Sequence, residues 1–282
     1  MNIKKFLCGI VIGSIFLLSF SDVSTAAKTK KIKKSQKPYS VSARSAIFSN
    51  TTTGKRYYGK NTDTKVVPAS TTKVMTALLV LEKLPLEKVI TVSHRAVGAP
   101  PSNIHLRVGE RFKVRDLLYA ILLNSANDAS IVLAEAVAGS EWKFVAMMNE
   151  RAKQLGAKNT QFVNSNGLPT RKLRQYTTAQ DMYLIFRQAL KYDFFKNAIA
   201  NKDRTISSLG GRKVNLRNHN KMLFKGWKKS IYGKTGYTRA AKACFVGYFV
   251  NGKEVYIVAV FGCTRRWDDI KYIVSKYGGI AL

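Results

Sequence analysis

Apolar residues along the chain fall into helix-period blocks in the middle and strand-period blocks towards both ends. Residues 68–82, PASTTKVMTALLVLE, hold a run (Val74, Met75, Ala77, Leu78, Leu79, Val80, Leu81) that is apolar almost all round, the signature of a helix enclosed by a core. Val114–Leu123 predicts a second apolar helix, stopping at Asn124-Ser125-Ala126-Asn127. Asp128 then reads as the cap of a helix over Ala129–Ala138 closed by Gly139. Ser140 reads as the cap of another over Glu141–Leu155, closed by Gly156. Thr178 with Asp181 has capping-box spacing and opens a helix over Ala179–Lys191.

The strand-period blocks lie outside this group. Tyr39–Phe48, the turn SNTTTG and Lys55–Tyr58 predict a first hairpin, and Val89–Val92 and Glu110–Phe112 are short extended pieces. After Arg204 come Thr205–Ser208, Lys213–Asn215, Ser230–Gly236 and a hairpin of Phe245–Val250 with Glu254–Phe261 around Asn251-Gly252. Ile270–Tyr277 is a closing helix. Strands at both ends with helices between predict an α/β (α+β) fold, with one antiparallel sheet flanked by helices and a helical lobe inserted in the middle.

Composition adds an address and a partner class. Lys and Arg outnumber Asp and Glu by 48 to 16, a net charge of +32, which points to a polyanionic partner. Lys4 and Lys5, the apolar stretch Phe6–Phe20 and Ser24-Thr25-Ala26 predict a signal peptide over residues 1–26, too short for a membrane span. An exported protein has no nucleic acid to meet, which leaves an anionic cell-wall or membrane surface. Residues 27–38 form a lysine-rich linker, and residues 39–282 the single remaining domain, with no second domain after the closing helix. With Asn251-Gly252 as the turn, Cys244 would oppose Ala259, roughly 13 Å from Cys263. Two free thiols are therefore expected.

Ser70 and Lys73, three residues apart, share a helix face about one turn from each other. A serine hydroxyl needs a base within hydrogen-bond reach, and a lysine at a helix start among apolar residues has its pKa lowered enough to serve. Alone this spacing is common. Two more motifs follow in order, Ser125-Ala126-Asn127 in a loop between helices and Lys234-Thr235-Gly236 in a strand. Together they form the set found in penicillin-binding proteins and β-lactamases. A phosphate loop ending in Gly233-Lys234-Thr235 is excluded, because it needs glycine where Lys228 stands. His94, His105 and His219 lack metal-ligand spacing and read as surface or loop histidines; no metal or organic cofactor is implied.

With their flanks (PASTTKVMTALLVLE, LLNSANDASIVLAEAVAG, NTQFVNSNGL, GKTGYTRAA) these motifs resemble the low-molecular-mass penicillin-binding proteins, the serine D-alanyl-D-alanine carboxypeptidases of peptidase family S11. The resemblance runs from about Tyr39 to Arg266. It implies a β-lactamase/DD-peptidase-like acyl-transferase fold and an envelope location, in the periplasm or on the outer face of the cytoplasmic membrane. Peptidoglycan stem peptides would be substrate and β-lactam antibiotics covalent inhibitors. It implies Ser70 as nucleophile, Lys73 as base and Ser125 as proton relay. Asn127 would hold the substrate amide, Lys234 and Thr235 the terminal carboxylate, and Gly236 would let substrate lie close to the strand. Ser70 N–H and a donor near Thr238 would form the oxyanion hole.

Two departures stand out. Lys242 occupies a position where the family usually has glycine, and Arg265 and Arg266 compete for the role of a carboxylate-binding arginine. The same residues would serve a DD-endopeptidase. A β-lactamase is disfavoured, because Phe162–Leu168 holds no carboxylate for deacylation. An inactive wall-binding scaffold is disfavoured by the intact catalytic set.

Overall fold

The computed structural model describes residues 39–170 and 173–282; the expected signal peptide and linker lie outside them. The chain enters at β1 (Ser45–Asn50) and β2 (Arg56–Lys60), an antiparallel hairpin. A 3-10 turn, Ala69–Thr72, leads into α1 (Lys73–Lys83). The helical lobe follows: β3 (Val89–Thr91), α2 (His94–Val97), β4 (Arg111–Lys113), α3 (Val114–Leu123), α4 (Asn127–Ala138) and α5 (Glu141–Gln154). Then come α6 (Ala179–Ala189), α7 (Asp193–Ala200) and the hairpin β5 (Asp203–Ser207) with β6 (Lys213–Arg217). Three long strands and a helix complete the chain: β7 (Tyr232–Thr238), β8 (Lys242–Asn251), β9 (Glu254–Cys263) and α8 (Arg266–Gly278).

The main sheet has the order β2-β1-β9-β8-β7, antiparallel throughout, so the two ends of the domain meet at β1 and β9 as expected. Each strand alternates between two cores. On one face Phe245, Phe249, Tyr256, Val258 and Val260 pack with Phe48 against Ile270, Ile273 and Val274 of α8. On the other, Val246, Ile257, Ala259 and Phe261 pack against the helical lobe. At the centre of that lobe sits α1, whose residues from Lys73 to Val80 are all buried, which explains its all-round apolar sequence. Burying one such leucine contributes about 1.5–3 kcal/mol. Among the described residues no helix is long and apolar enough to cross a membrane.

Three expectations change. Asp128 does not cap α4, whose N-cap is Ala126 with no side-chain bond. Its carboxylate instead accepts the backbone N–H of Ile104 at 3.0 Å, Leu106 at 3.1 Å and Ala129 at 2.8 Å, anchoring the loop over the lobe. The last hairpin turns at Gly252-Lys253, with Asn251 opposite Glu254, and a bulge lies between Ala243 and Phe245. Both move the register, so Cys263 pairs with Ala243 and Cys244 lies beside it. The two thiols are still free, because they point into opposite cores of the sheet. Finally, Asp193–Ala200 is a helix that had no expectation attached.

Candidate active site

The polypeptide approaches Ser70 under constraint. Ala69 sits at φ +48°, and the following 3-10 turn has no intrahelical acceptor for its first N–H groups, leaving that of Ser70 available to a ligand. Two glycines permit neighbours to close on this turn. A Cβ at Gly236 would lie 3.1 Å from Ser70 N, so β7 runs alongside the serine only because that residue has no side chain. Gly167, at φ +88°, packs so tightly on the Ala69 carbonyl that no Cβ fits between them.

Lys73 begins α1 and is fully buried. Its Nζ lies 3.2 Å from Ser70 Oγ, and donates to Asn127 Oδ1 at 2.7 Å and to the Asn166 carbonyl at 2.7 Å. Asn127 in turn donates from Nδ2 to Pro100 O at 2.8 Å. The loop supplying Asn166 is pinned as well: Ser165 O accepts from Thr76 Oγ1, Ser165 Oγ donates to Glu141, and Asn164 holds Gly167 N and Leu168 O. Lys73 is thus aimed at Ser70 by polar groups from three elements.

Burial, reinforced by the charge of Lys234, pushes the Lys73 pKa well below the ordinary lysine value, and Asp128 opposes this only in part. Lys234, also fully buried and facing Arg266, is lowered to about 7, with its Nζ 3.1 Å from Thr235 O. A lysine whose pKa is lowered, beside a serine hydroxyl, has the chemistry to act as a base towards it.

A cavity of about 310 Å³ opens onto Ser70. Ser102 and Ser125 line one side, Thr235, Gly236 and Tyr237 the β7 side, and His219 and Arg266 the ends. Ser125 is held at φ +60°, a conformation rare for serine, which turns it towards the cavity. β7 is an edge strand, so its free side faces this space and can pair with an extended peptide.

Most of the expected set converges here, with three differences. Asn127 also positions the lysine, accepting from Lys73 and donating to Pro100 O, which uses one of its two N–H groups and one of its oxygen lone pairs. Thr238 lies beyond the cavity wall, its hydroxyl accepting Ala241 N–H at 3.0 Å; Tyr237 takes the wall position. Of the two arginines, Arg266 reaches the cavity, with Nη1 bonded to Gly236 O and Cys244 O, while Arg265 turns away over Tyr39.

Three contributors went unnoticed in the sequence. His219 is an exposed loop histidine, as expected, but it also lines the cavity, where desolvation followed by the charges of Lys234 and Lys73 lowers its pKa to about 4. Its flanking Asn218 and Asn220, both buried and bonded to backbone, were the available signal. Asn166 acts through a carbonyl, which no side-chain motif advertises. Ser102 comes from a loop far from all three motifs.

The family model for D-alanyl-D-alanine carboxypeptidases matches residues 30–264. The chain belongs to this family. A D-alanyl-D-alanine carboxypeptidase of Bacillus subtilis, DacF, is 34% identical over 93% of this chain and 67% of its own. A D-alanyl-D-alanine endopeptidase of Pseudomonas aeruginosa is 32% identical over 80% of this chain and 74% of its own. Among solved structures, the DD-transpeptidase of Streptomyces K15 superposes with a TM-score of 0.79 at 28% identity, covering 86% of this chain and 99% of that one. The fold is therefore that of the penicillin-binding DD-peptidases, and the activity is that of a D-alanyl-D-alanine carboxypeptidase, a hydrolase of the cell envelope.

Proposed function

We propose that Ser70 carries the acyl-enzyme of this carboxypeptidase and that the surrounding residues divide the work as follows. The observation that carries the reading is the fully buried Lys73, its Nζ held 3.2 Å from Ser70 Oγ and its pKa pushed down by burial. Ser70 Oγ attacks the carbonyl of the penultimate D-Ala as Lys73 takes its proton. An ester forms, the C–N bond breaks, and the terminal D-Ala leaves as an amine that receives a proton through Ser125. Water then cleaves the ester by the reverse proton path. The oxyanion is met by Ser70 N–H and a backbone N–H of the β7 segment Tyr237–Thr238. Lys234, Thr235 and Arg266 draw in the departing carboxylate, and Gly236 keeps β7 near enough for a peptide to pair along it.

Arg266 stands at the first residue of α8, where the helix dipole disfavours a cation. Its Nε is buried without a partner. Such a costly placement fits a side chain whose counter-charge arrives with the substrate.

Export by the N-terminal segment would bring the domain to the wall, and the basic surface would hold it on anionic polymer, less so as salt rises. The first test is D-Ala release from a diacylated Lys–D-Ala–D-Ala tripeptide by the full chain and its Ser70→Ala variant. Release by the first and not the second is expected; equal release by both would refute the assignment. Cross-linked muropeptides in the same assay separate a carboxypeptidase from an endopeptidase of the Pseudomonas kind.

A further inference from the structure

A second cavity, of about 400 Å³, adjoins the catalytic cleft, and none of the roles above uses it. Its walls come from three places: Arg44 just before β1, Lys65 to Val67 ahead of the Ser70 turn, and the loop holding Gln175 and Tyr176. Ala240, in the turn that ends β7, closes it. Val67 is three residues before Ser70. Ala240 is three beyond Tyr237, so at most about 11 Å along the chain separates the cleft's wall from this cavity.

Its chemistry is one-sided. No carboxylate lines it, and among the described residues neither Arg44 nor Lys65 has an ion-pair partner. Lys65 Nζ lies over the Tyr176 ring, 4.2 Å from its centroid, which fixes a flexible side chain. Gln175 is 5% exposed; its Nε2 donates to Leu168 O at 2.8 Å, while its Oε1 is buried with no donor. An orphaned acceptor of this kind is unfavourable until an N–H comes within reach.

The direction of the substrate follows from the proposed function, on which this step rests. If the leaving carboxylate lies at Lys234 and Thr235 and the oxyanion beyond Gly236, the peptide upstream of the scissile carbonyl continues past Thr238 towards Ala240. We propose that this cavity is a subsite for the donor stem, binding a free carboxylate about two residues upstream of the scissile D-Ala through Arg44 and Lys65, with Gln175 accepting a stem N–H. In a peptidoglycan stem that carboxylate belongs to the γ-linked glutamate, whose backbone runs through its side chain and leaves the α-carboxylate free.

The test is binding of two pentapeptides to the full chain carrying Ser70→Ala, one with the γ-linked glutamate free and one with it amidated. The free acid is expected to bind about tenfold tighter at low salt. That preference should vanish in the Arg44→Ala/Lys65→Ala variant, both sites being exposed positions that leave the core intact. Equal binding of acid and amide, a preference that survives the double variant, or binding of neither would each overturn the subsite. Penicillin acylation of the chain with Ser70 intact is followed in parallel. If it fails, the catalytic reading itself has fallen; if it proceeds at the same rate in the double variant while the peptide preference is lost, the two cavities are distinct.

Discussion

The two faces of the five-stranded sheet both bury apolar side chains but differ in what else they hide. Against α8 the protein hides rings: Phe48 lies within 5.6–6.2 Å, centroid to centroid, of Tyr57, Tyr256 and Phe249, and a Cβ on Gly278 would meet its ring at 2.8 Å. Towards the helical lobe, where β7 meets α1, it hides two ammonium groups, Lys73 and Lys234, each no more than 1% exposed and without a carboxylate in contact. Burying the rings stabilises the fold in proportion to area, whereas burying the lysines costs free energy that only neutralisation or hydrogen bonds can offset. Both faces hold the molecule together; the lobe face also carries an unfavourable polar arrangement that its own apolar packing must support.

Paired substitutions break the comparison most sharply. Lys73→Ala should slow acylation by about 10³-fold or more while leaving the thermal midpoint equal or higher, since a buried charge is removed. Phe48→Ala should cost about 3–5 kcal/mol of stability, read by denaturant unfolding, with little change in acylation rate while the protein remains folded. A lysine variant that unfolds the protein, or a phenylalanine variant that silences a folded one, would erase the distinction.

Gly167→Ala strikes the polar face through the backbone. The new Cβ meets the Ala69 carbonyl at a left-handed φ, so a cost of about 2–4 kcal/mol is expected. Asn166 O should also lose its hold on Lys73, visible as a reduced acylation rate in the fraction still folded.

Acidity separates the faces without mutation. Lys234, with a pKa near 7, has lost in the folded state a proton that the unfolded chain keeps up to the ordinary lysine value of 10.5. Stability should therefore rise with pH from about 7 towards 10, and Lys73 acts in the same direction. His219, lowered to about 4, adds a smaller rise between 4 and the ordinary histidine value of 6.5. Denaturant midpoints measured across this range should climb in the wild type and flatten in Lys234→Met.

The mildest effect is expected at Lys242, which sits at φ +57° at the start of β8. Glycine there should stabilise by about 0.5–1 kcal/mol, measured by the same unfolding curve, as relieved backbone strain outweighs added chain entropy.

How much of this could be read in advance follows the same division. Apolar periodicity and caps located the helices because such signals are local: Val114–Leu123 matches to the residue, and Ser140 and Thr178 cap as expected, accepting from Lys143 N and Asp181 N. The three motifs converge on one cavity, which Ser70, Ser125, Thr235 and Gly236 all line. What failed was non-local. A one-residue shift of the turn and a bulge moved Cys244 beside Cys263, and neither is encoded by strand propensity. Asp128 has the right residue type and place for a cap, yet loop 104–106 claims its carboxylate. The contacts by which Asn127 also braces Lys73 and Pro100 span 54 and 27 residues, beyond what a local motif shows. His219 enters the cleft only because a hairpin folds back across it, a placement that spacing alone does not reveal. The glycine expectation at Lys242 was informative in another way: the backbone keeps the left-handed turn and the lysine bears its strain.

Our proposal is that Ser70 is made nucleophilic by the buried Lys73, whose pKa burial lowers. It is tested most directly by intact mass after benzylpenicillin, for the wild type, Ser70→Ala and Lys73→Ala. One stable penicillin adduct on the wild type, none on Ser70→Ala and a strongly delayed one on Lys73→Ala is the predicted result. Acylation of Lys73→Ala at the wild-type rate, or no adduct on folded wild type with no lactam consumed, would contradict it.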